Sequence, residues 1–323
     1  MPRFILIGLG GGLASAVLFA SAASGGGAGR MLLYLLVPLP SLLSGLGWGS
    51  AAAGVAALAG AAGVAAALGV KSALMFFLSH GAPVAAICYL ALLARPVDEK
   101  AEPGATTLEW YPPGHLVTAA ALIAGGLATL SLLVLGPDLD ALRTLLRDLI
   151  QNVFLKELPG LGDRQLSGDE IAAVTEFALY ALPAGFAIMW LGSFLLNLWL
   201  AGRITQTSGR LMRPWPDLAA MTFPRWLALA LAAAFALTFS TGYPALLGSG
   251  FAGAFFLAYV LMGLAIVHFI TRGRPSRPFV LWGVYLSLLI LNTWAALIIA
   301  LLALMEPFLP LRRTSPPNAP SSD

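Results

Sequence analysis

Cysteine and charge are the scarcest features of this sequence. Of 323 residues, 10% are Asp, Glu, Lys or Arg, and Cys88 is the single cysteine. One cysteine excludes a disulfide framework within the chain and a cysteine-built metal site. The scarcity of charge goes with 59% hydrophobic residues and a mean hydropathy of +0.86. A water-soluble domain of this length could not bury so much apolar surface, so the composition excludes that class.

Catalytic motifs are missing as well. The sequence has no phosphate-binding G-x-x-x-x-G-K-[ST], no H-E-x-x-H and no G-x-S-x-G. Its 3 histidines are scattered along the chain and define no metal site. The net charge of +3 reflects the connections between apolar segments rather than a nucleic-acid footprint. We therefore predict a protein that is not an enzyme, holds no metal or cofactor and binds no nucleic acid.

Long apolar runs are what the sequence has instead. Continuous runs of about twenty residues predict membrane-spanning helices, because a closed barrel would need shorter, alternating segments. We predict an all-α, polytopic transmembrane bundle of about eight to nine helices, forming one integral membrane domain over residues 1–306. The predicted segments lie near 4–23, 31–47, 50–70, 72–94, 115–136, 181–202, 225–242, 249–271 and 278–305.

Two of these segments have unusual sequences. Pro38 and Pro40 interrupt segment 31–47, which predicts a broken or re-entrant helix. Segment 50–70 has almost no large side chains. Because small residues let neighbouring helices approach closely, we expect this segment inside the bundle.

Arginines predict the orientation of the chain. They crowd the connections 203–225 and 272–277, where Asp217 is the single acid. Because positively charged connections stay on the cytoplasmic side, these two are predicted to be cytoplasmic. Counting back along the segments makes 95–114 a cytoplasmic loop and 137–180 an external connection.

The end of the sequence leaves two alternatives open. Nine crossings would place Arg312 and Arg313 outside, against the charge rule. Either that pair is tolerated there, or one segment does not cross, and 31–47 is the first choice. Residues 307–323, rich in proline and serine, are predicted to be a disordered tail.

The external connection carries an amphipathic pattern. Residues 139–156 place leucines on one helical face and charges on the other, which predicts an extramembrane amphipathic helix on the membrane surface or against the bundle. Ser167, with Glu170 three residues later, has the spacing of a capping box. A helix beginning there is expected to run unbroken into segment 181–202.

Polar residues within apolar segments are the candidate functional residues, because burying them in a bilayer is costly. His80 lies in the sequence Ser79-His80-Gly81-Ala82-Pro83. Pro83 has no backbone N–H, so it leaves the Ser79 carbonyl without its helical partner. His80 beside that carbonyl could bind a ligand, relay a proton or hold a kink. A histidine bonded to a neighbouring helix is the alternative.

Further polar candidates lie in later segments. Trp190, Ser193 and Asn197 share one face of segment 181–202, and Asn292 lies in the last segment. The two amides either join helices to each other or converge with His80 on a polar ligand. His268 near the end of its helix is interpreted as bonding to the last carbonyls, with a role in a site as the alternative.

A stripe of small residues lies on the first segment. Gly8, Gly12, Ala16 and Ala20 recur at every fourth position, which lets another helix approach closely. If this helix lies at the edge of the bundle, the stripe is a contact surface for a partner helix. If the helix is central, the stripe serves internal packing.

Several short motifs give the chain a family resemblance. It resembles the YybS-like family of bacterial membrane proteins, a domain of unknown function, over most of its length. The motifs are Val37–Gly49, His80–Pro83, Leu108–Leu116, Leu196–Ile204 and Glu306–Arg313. The resemblance implies a multi-pass protein of the bacterial inner membrane.

That family in turn resembles the substrate-capture (S) subunits of energy-coupling-factor transporters. Those are small helical bundles that bind a vitamin or a metal and work with a separate transmembrane subunit and two ATPases. Ala16 and Ala20 resemble the small-residue motif through which their first helix meets that subunit. This chain departs from the pattern by having about three more segments and the long connection 137–180.

Two hypotheses for the function follow. In the first, the bundle binds an unidentified small molecule and takes part in its transport, with another transmembrane subunit as a partner. The candidate ligand contacts are then His80, Trp190, Asn197 and Asn292, which should share one wet cavity. In the second, the protein is a non-transporting scaffold or assembly factor in the lipid bilayer, and those side chains are paired off within the bundle.

Overall fold

Helices account for most of the described structure. The computed structural model describes residues 2–24, 27–97, 108–136, 138–154, 167–309 and 311–312. Its helices are α1 (Arg3–Ser24), α2 (Gly27–Leu36), α3 (Pro38–Trp48), α4 (Ser50–Leu68), α5 (Val70–Phe76), α6 (Ala82–Ala91), α7 (Pro113–Leu135), α8 (Leu139–Leu149), α9 (Gly168–Thr207), α10 (Trp226–Leu237), α11 (Tyr243–Ile270), α12 (Arg277–Leu291) and α13 (Thr293–Met305). Two three-residue strands, β1 (Ala94–Pro96) and β2 (Leu108–Trp110), pair antiparallel between α6 and α7.

Seven helical stretches in the described residues are long and apolar enough to cross a membrane. The predicted all-α bundle is therefore confirmed, and the chain has the helices of a multi-pass membrane protein. The exact number of crossings stays a prediction. The seven stretches are Arg3–Ala23, Gly29–Trp48, Ser50–Leu68, Val70–Ala91, Pro113–Leu132, Gly168–Thr207 and Tyr243–Ile270.

The small-residue stripe of α1 packs against α4 of the same chain. A Cβ on Gly8 would lie 2.7 Å from the Ala52 carbonyl oxygen, and one on Gly12 would overlap the Ala56 carbonyl. Ala16 is buried as well. Of the two alternatives for the stripe, the structure shows internal packing. The predicted contact with a partner helix is wrong for Gly8, Gly12 and Ala16, because α4 already occupies that surface.

Two breaks in the helices occur near prolines. The α2–α3 stretch is interrupted at Val37, just before Pro38, as the sequence predicted for segment 31–47. Between α5 and α6, residues Phe77–Gly81 form a π-helical turn. This turn ends at Gly81, directly before the Ala82–Pro83 pair that starts α6. Proline there has no N–H to donate the helical hydrogen bond.

The external connection is helical where the structure describes it. α8 begins with Asp138 as its cap and continues into the π-helical turn Ile150–Phe154. Leu142 of α8 is buried against Leu179 and Leu246, so this amphipathic helix packs on α9 and α11. Residues 155–156 of the predicted helix lie outside the described residues. The capping box of Ser167 and Glu170 is present, and α9 runs unbroken from it for 40 residues.

One end of the bundle is defined by residues 208–225, which follow α9. There Arg213 donates from Nη1 to the carbonyls of Ala91 (2.9 Å) and Tyr111 (3.3 Å). The Met212 N–H donates to the Leu46 carbonyl at 3.3 Å. The ends of α3, α6 and α9 and the start of α7 therefore meet at this end, which we call the arginine end.

The last apolar segment does not cross the bundle. It breaks at Asn292, whose φ of 40° falls in the left-handed region, and gives the two short helices α12 and α13. Arg272, before α12, pairs with Asp217. Arg312, after α13, donates to the carbonyls of Ala219 (3.0 Å) and Met221 (2.8 Å).

Both ends of this segment therefore lie on residues 217–221, at the arginine end. The predicted single helix over 278–305 is wrong. Segment 31–47, in contrast, belongs to the stretch Gly29–Trp48, which is long and apolar enough to span a membrane. Which segment fails to cross stays a prediction.

The tail prediction is wrong for part of its range. Arg312 is held by the two carbonyls and by an ion pair with Glu306, and both side chains are largely buried. Residue 310 and residues 313–323 lie outside the described residues, as do residues 98–107 of the predicted 95–114 loop. The described part of that loop forms the β1–β2 pair.

The predicted segment 225–242 is only partly helical. α10 has 12 residues, about 18 Å at the helical rise, which is short of the roughly 30 Å hydrocarbon core. Before α10 the chain is irregular, and the Phe223 ring meets Tyr259 edge to face at 5.5 Å. Tyr259 lies about three turns before the end of α11. Irregular backbone therefore runs inward from the arginine end.

Candidate functional site

His80 sits among aromatic rings in the π-helical turn. Its ring stacks on Phe76 at 5.9 Å and meets Tyr34 and Phe19 edge to face at 5.3 and 5.9 Å. The Ser79 hydroxyl lies 2.7 Å from His80 Nδ1. His80 is buried. Its described side-chain hydrogen bond is made with Ser79, the preceding residue, and not with a neighbouring helix. The alternative of a histidine bonded across helices is wrong in that detail.

The Ser79 carbonyl accepts a hydrogen bond from another helix. Trp190 of α9 donates from Nε1 to this carbonyl oxygen at 3.0 Å. Pro83 leaves the carbonyl without its helical donor, and a side chain from another helix supplies one. This bond joins the middle of the α5–α6 stretch to α9.

The Leu35 carbonyl also accepts hydrogen bonds from side chains of α9. Leu35 is in the last turn of α2, where helix carbonyls lack partners within their helix. Asn197 Nδ2 donates to the Leu35 oxygen at 2.6 Å, and the Ser193 hydroxyl donates to it at 3.1 Å. The face of α9 that carries Trp190, Ser193 and Asn197 thus satisfies the broken backbone of two other elements.

The four predicted ligand contacts do not share one cavity. His80 and Trp190 line a cavity of about 50 Å³, together with Tyr34, Ser193 and mostly apolar neighbours. Asn197 is engaged by the Leu35 carbonyl. Asn292 is exposed at the α12–α13 break.

The predicted convergence of His80, Trp190, Asn197 and Asn292 is therefore wrong, because the chain reverses at Asn292 instead of presenting it to the bundle. A cavity of this size holds about one or two waters. A ligand role for each of these residues stays a prediction.

A much larger cleft opens at the arginine end. Its volume is about 1100 Å³, and its walls come from α7, α9, α11, α12 and residues 211–221, which are irregular except for the 3-10 turn Leu218–Ala220. Apolar side chains make up most of the lining. The lining residues include Val117, Leu196, Trp199, Leu261, Leu264 and Tyr285.

Charged residues of the cleft are predominantly positive. Four arginines and one aspartate are among its described lining residues, namely Arg203, Arg213, Arg272, Arg277 and Asp217. Arg272 forms the ion pair with Asp217, which holds the pKa of that carboxyl below its usual value. The positive charge of the other three is not balanced by a second lining carboxylate among the described residues.

Aromatic rings accompany these arginines. The Arg203 guanidinium lies 5.0 Å from the centre of the Trp215 ring, and that of Arg213 lies 5.7 Å from Trp110. Burial lowers the pKa of the Arg213 guanidinium. Its Nε is buried without a hydrogen-bond partner. The side chain therefore has a donor left over beyond the two carbonyls that it binds.

His268 belongs to this cleft. Its Nε2 lies 2.9 Å from the Tyr285 hydroxyl, and both residues line the cleft. Its interpretation as a helix-end histidine on the last carbonyls is replaced by this contact between α11 and α12.

Sequence reasoning used Arg203 and Arg213 for orientation and did not identify them as cleft residues. The run Arg213-Pro214-Trp215-Pro216-Asp217 could have indicated them, because two prolines exclude helix where charge and aromatic rings cluster.

Comparison with known proteins does not identify a relative. No protein-family model, no curated protein and no solved structure matches this chain. The fold and the cleft are therefore interpreted from their own geometry.

Proposed function

We propose that this multi-pass membrane protein binds a small apolar or amphiphilic molecule in the cleft at the arginine end. The observation that supports this most is the cleft itself, about 1100 Å³ with a mostly apolar lining. Close-packed protein interiors leave few voids larger than a water molecule. Ligand sites, in contrast, are concave and apolar with a few polar groups.

The walls of the cleft favour a molecule that comes from the bilayer. α7, α9 and α11 supply most of the apolar lining, and each contains a stretch long enough to span a membrane. α12 forms another wall and buries none of its own residues. An apolar chain can enter such a cleft from the lipid, whereas water finds few polar partners in its interior.

The proposal keeps part of the first hypothesis. The proposed binding site is the cleft at the arginine end, and not the surroundings of His80. By the charge rule this end is cytoplasmic, in a bacterial inner membrane as the YybS-like resemblance implies. Transport with another transmembrane subunit remains part of the proposal, as does the absence of a catalytic role.

Narrowing the cleft tests this function. Leu196 lines the cleft and is 56% exposed, while Leu182 on the same helix does not line it and is 50% exposed. The two are about four turns apart, so Leu196→Trp and Leu182→Trp are a matched pair. Native mass spectrometry of the purified chain would count bound phospholipids and lysophospholipids. We expect stoichiometric binding that Leu196→Trp weakens and Leu182→Trp does not. Binding that neither substitution changes would contradict the proposal.

A scaffold or assembly factor is the second candidate. It is favoured by the pairing of Trp190, Ser193 and Asn197 with backbone carbonyls inside the bundle, which is what this hypothesis predicted. Quantitative purification from native membranes distinguishes the two. A stoichiometric protein partner without any bound amphiphile would favour the scaffold.

A further inference from the structure

We infer that the cleft at the arginine end is a site for an anionic phospholipid, with the phosphate at the arginines and an acyl chain in the apolar interior. This inference rests on the proposed function, since it names the class of molecule for the same cleft. It adds a charge requirement that simple apolar binding does not have.

Charge complementarity supports the anionic head. Arg203, Arg213 and Arg277 line the cleft with no second described carboxylate to balance them. Arginine suits phosphate because its planar guanidinium donates two parallel hydrogen bonds to one group. Arg213 lines the cleft while its Nη1 binds the carbonyls of Ala91 and Tyr111, which fixes the position of its positive charge. A zwitterionic head would bring a cation to the same arginines.

The apolar interior supports an acyl chain. Val117, Leu261 and Leu264 line the cleft from α7 and α11. These residues lie within the stretches that are long and apolar enough to span a membrane. A free phosphate would leave this apolar surface uncovered. A phospholipid would place its head group at the arginine end and its acyl chain along this apolar surface of α7 and α11.

Tyr285 and His268 line the cleft from α12 and α11. Their hydrogen bond joins α12 to α11, and α12 otherwise packs mainly on α13. Trp199 of α9 also lines the cleft and is 46% exposed. Amphipathic rings at the level of lipid head groups are typical of membrane proteins, so aromatic residues in this lining suit a lipid ligand.

A matched pair of arginines tests the charge requirement. Arg277 is partly buried and lines the cleft, while Arg274 is exposed and does not. Arg274 lies in the turn between α11 and α12, and Arg277 is the first residue of α12. The purified full-length chain would be titrated with phosphatidylglycerol and phosphatidylcholine of identical acyl chains, and binding measured by native mass spectrometry.

We expect phosphatidylglycerol to bind about ten-fold more tightly than phosphatidylcholine. Arg277→Gln should reduce this preference to about two-fold or less, and Arg274→Gln should leave it unchanged. Arg213→Lys is a second variant, because lysine keeps the positive charge and can still donate to the Ala91 and Tyr111 carbonyls but lacks the planar guanidinium that suits phosphate. It too should reduce the preference, with a thermal midpoint near that of the wild type.

The outcomes separate this inference from the proposed function. Equal binding of the two lipids, lost in Leu196→Trp, would overturn the charge requirement and leave the cleft as an amphiphile site. Binding of neither lipid would overturn both. Soluble glycerol phosphate binding as tightly as phosphatidylglycerol would overturn the lipid and leave only an anion site. A preference that Arg274→Gln removes as fully as Arg277→Gln would assign it to general surface charge.

Discussion

Single polar side chains hold this bundle together where its helices are broken. Trp190 donates to the Ser79 carbonyl, Asn197 to the Leu35 carbonyl, and Arg312 to two carbonyls beside Asp217. Backbone carbonyls inside a bilayer cannot rely on water, so each needs a donor from the protein. The donor groups of these three side chains are thus accounted for by backbone carbonyls rather than by one shared ligand, while Asn197 Oδ1 is buried without a hydrogen-bond partner.

Removal of the Trp190 donor should destabilise the protein. Trp190 stacks on Phe194 at 4.8 Å. Trp190→Phe keeps a smaller aromatic ring at this position but leaves the Ser79 carbonyl without its donor. An unsatisfied buried acceptor costs about 1–3 kcal/mol, so we expect a lower thermal midpoint in detergent. Trp294→Phe is the control, because Trp294 is 73% exposed. Equal midpoints for both variants would show that the bond contributes nothing.

The Asp217–Arg272 pair should make stability depend on pH in a defined window. Arg272 lowers the pKa of the Asp217 carboxyl in the folded protein. A lowered folded pKa adds stability above the unfolded value, about 3.9, and this is lost as the pH falls through the folded pKa. Both side chains are 47% exposed, so the effect should be below about 1 kcal/mol.

Thermal midpoints of Asp217→Asn and the wild type measure this contribution. They should differ by a constant small amount between about pH 5 and 8, and converge in acid. A difference that grows as the pH falls has the opposite sign and would contradict the assignment.

At the level of elements, close packing of helix backbones depends on glycine. A Cβ on Gly12 would overlap the Ala56 carbonyl of α4, and one on Gly263 would overlap the Ile299 carbonyl of α13. Small residues in membrane helices permit such approaches because no side chain separates the backbones. These contacts fix α4 on α1 and α13 on α11.

Two glycines of α1 allow a direct test of this packing. Gly12 faces α4, whereas a Cβ on Gly10 would meet nothing within 4 Å. We expect Gly12→Ala to destabilise the protein by about 1–3 kcal/mol, since the helices must move apart. Gly10→Ala should be neutral or slightly stabilising, because alanine favours helix. The thermal midpoints of the two variants test this prediction. A midpoint of Gly12→Ala equal to that of the wild type would contradict the packing.

At the level of the whole molecule, the chain returns to the arginine end. Arg272 and Arg312 both bind residues 217–221. The start of α12 and the end of α13 therefore lie at the same end of the bundle. Residues 211–221 line the cleft at this end.

Cysteine labelling in membranes tests this topology. We expect Arg274→Cys and Leu311→Cys to react from the same side with a membrane-impermeant maleimide, and Asp148→Cys in α8 to react from the other. Cys88 is completely buried, so the unsubstituted chain should react only after unfolding. Reaction of Leu311→Cys and Asp148→Cys from one side would show that the last segment crosses after all.

The helices themselves could be predicted from the sequence because their cause is local. A run of apolar side chains about twenty residues long must satisfy its own backbone in a bilayer, which makes it a helix. The capping box of Ser167 and Glu170 and the free carbonyl before Pro83 also depend on neighbours along the chain. The structure confirms these features in α9 and in the turn Phe77–Gly81.

The all-α class, the amphipathic α8 and the breaks near proline could all be predicted from the order of residues. The pairing of Trp190 with Ser79, the reversal of the chain at Asn292 and the meeting of arginines from separate connections in one cleft required the three-dimensional structure. Composition and periodicity act over a few turns of one helix. Pairing between residues more than a hundred positions apart depends on which helix faces meet, and packing in three dimensions alone sets those contacts.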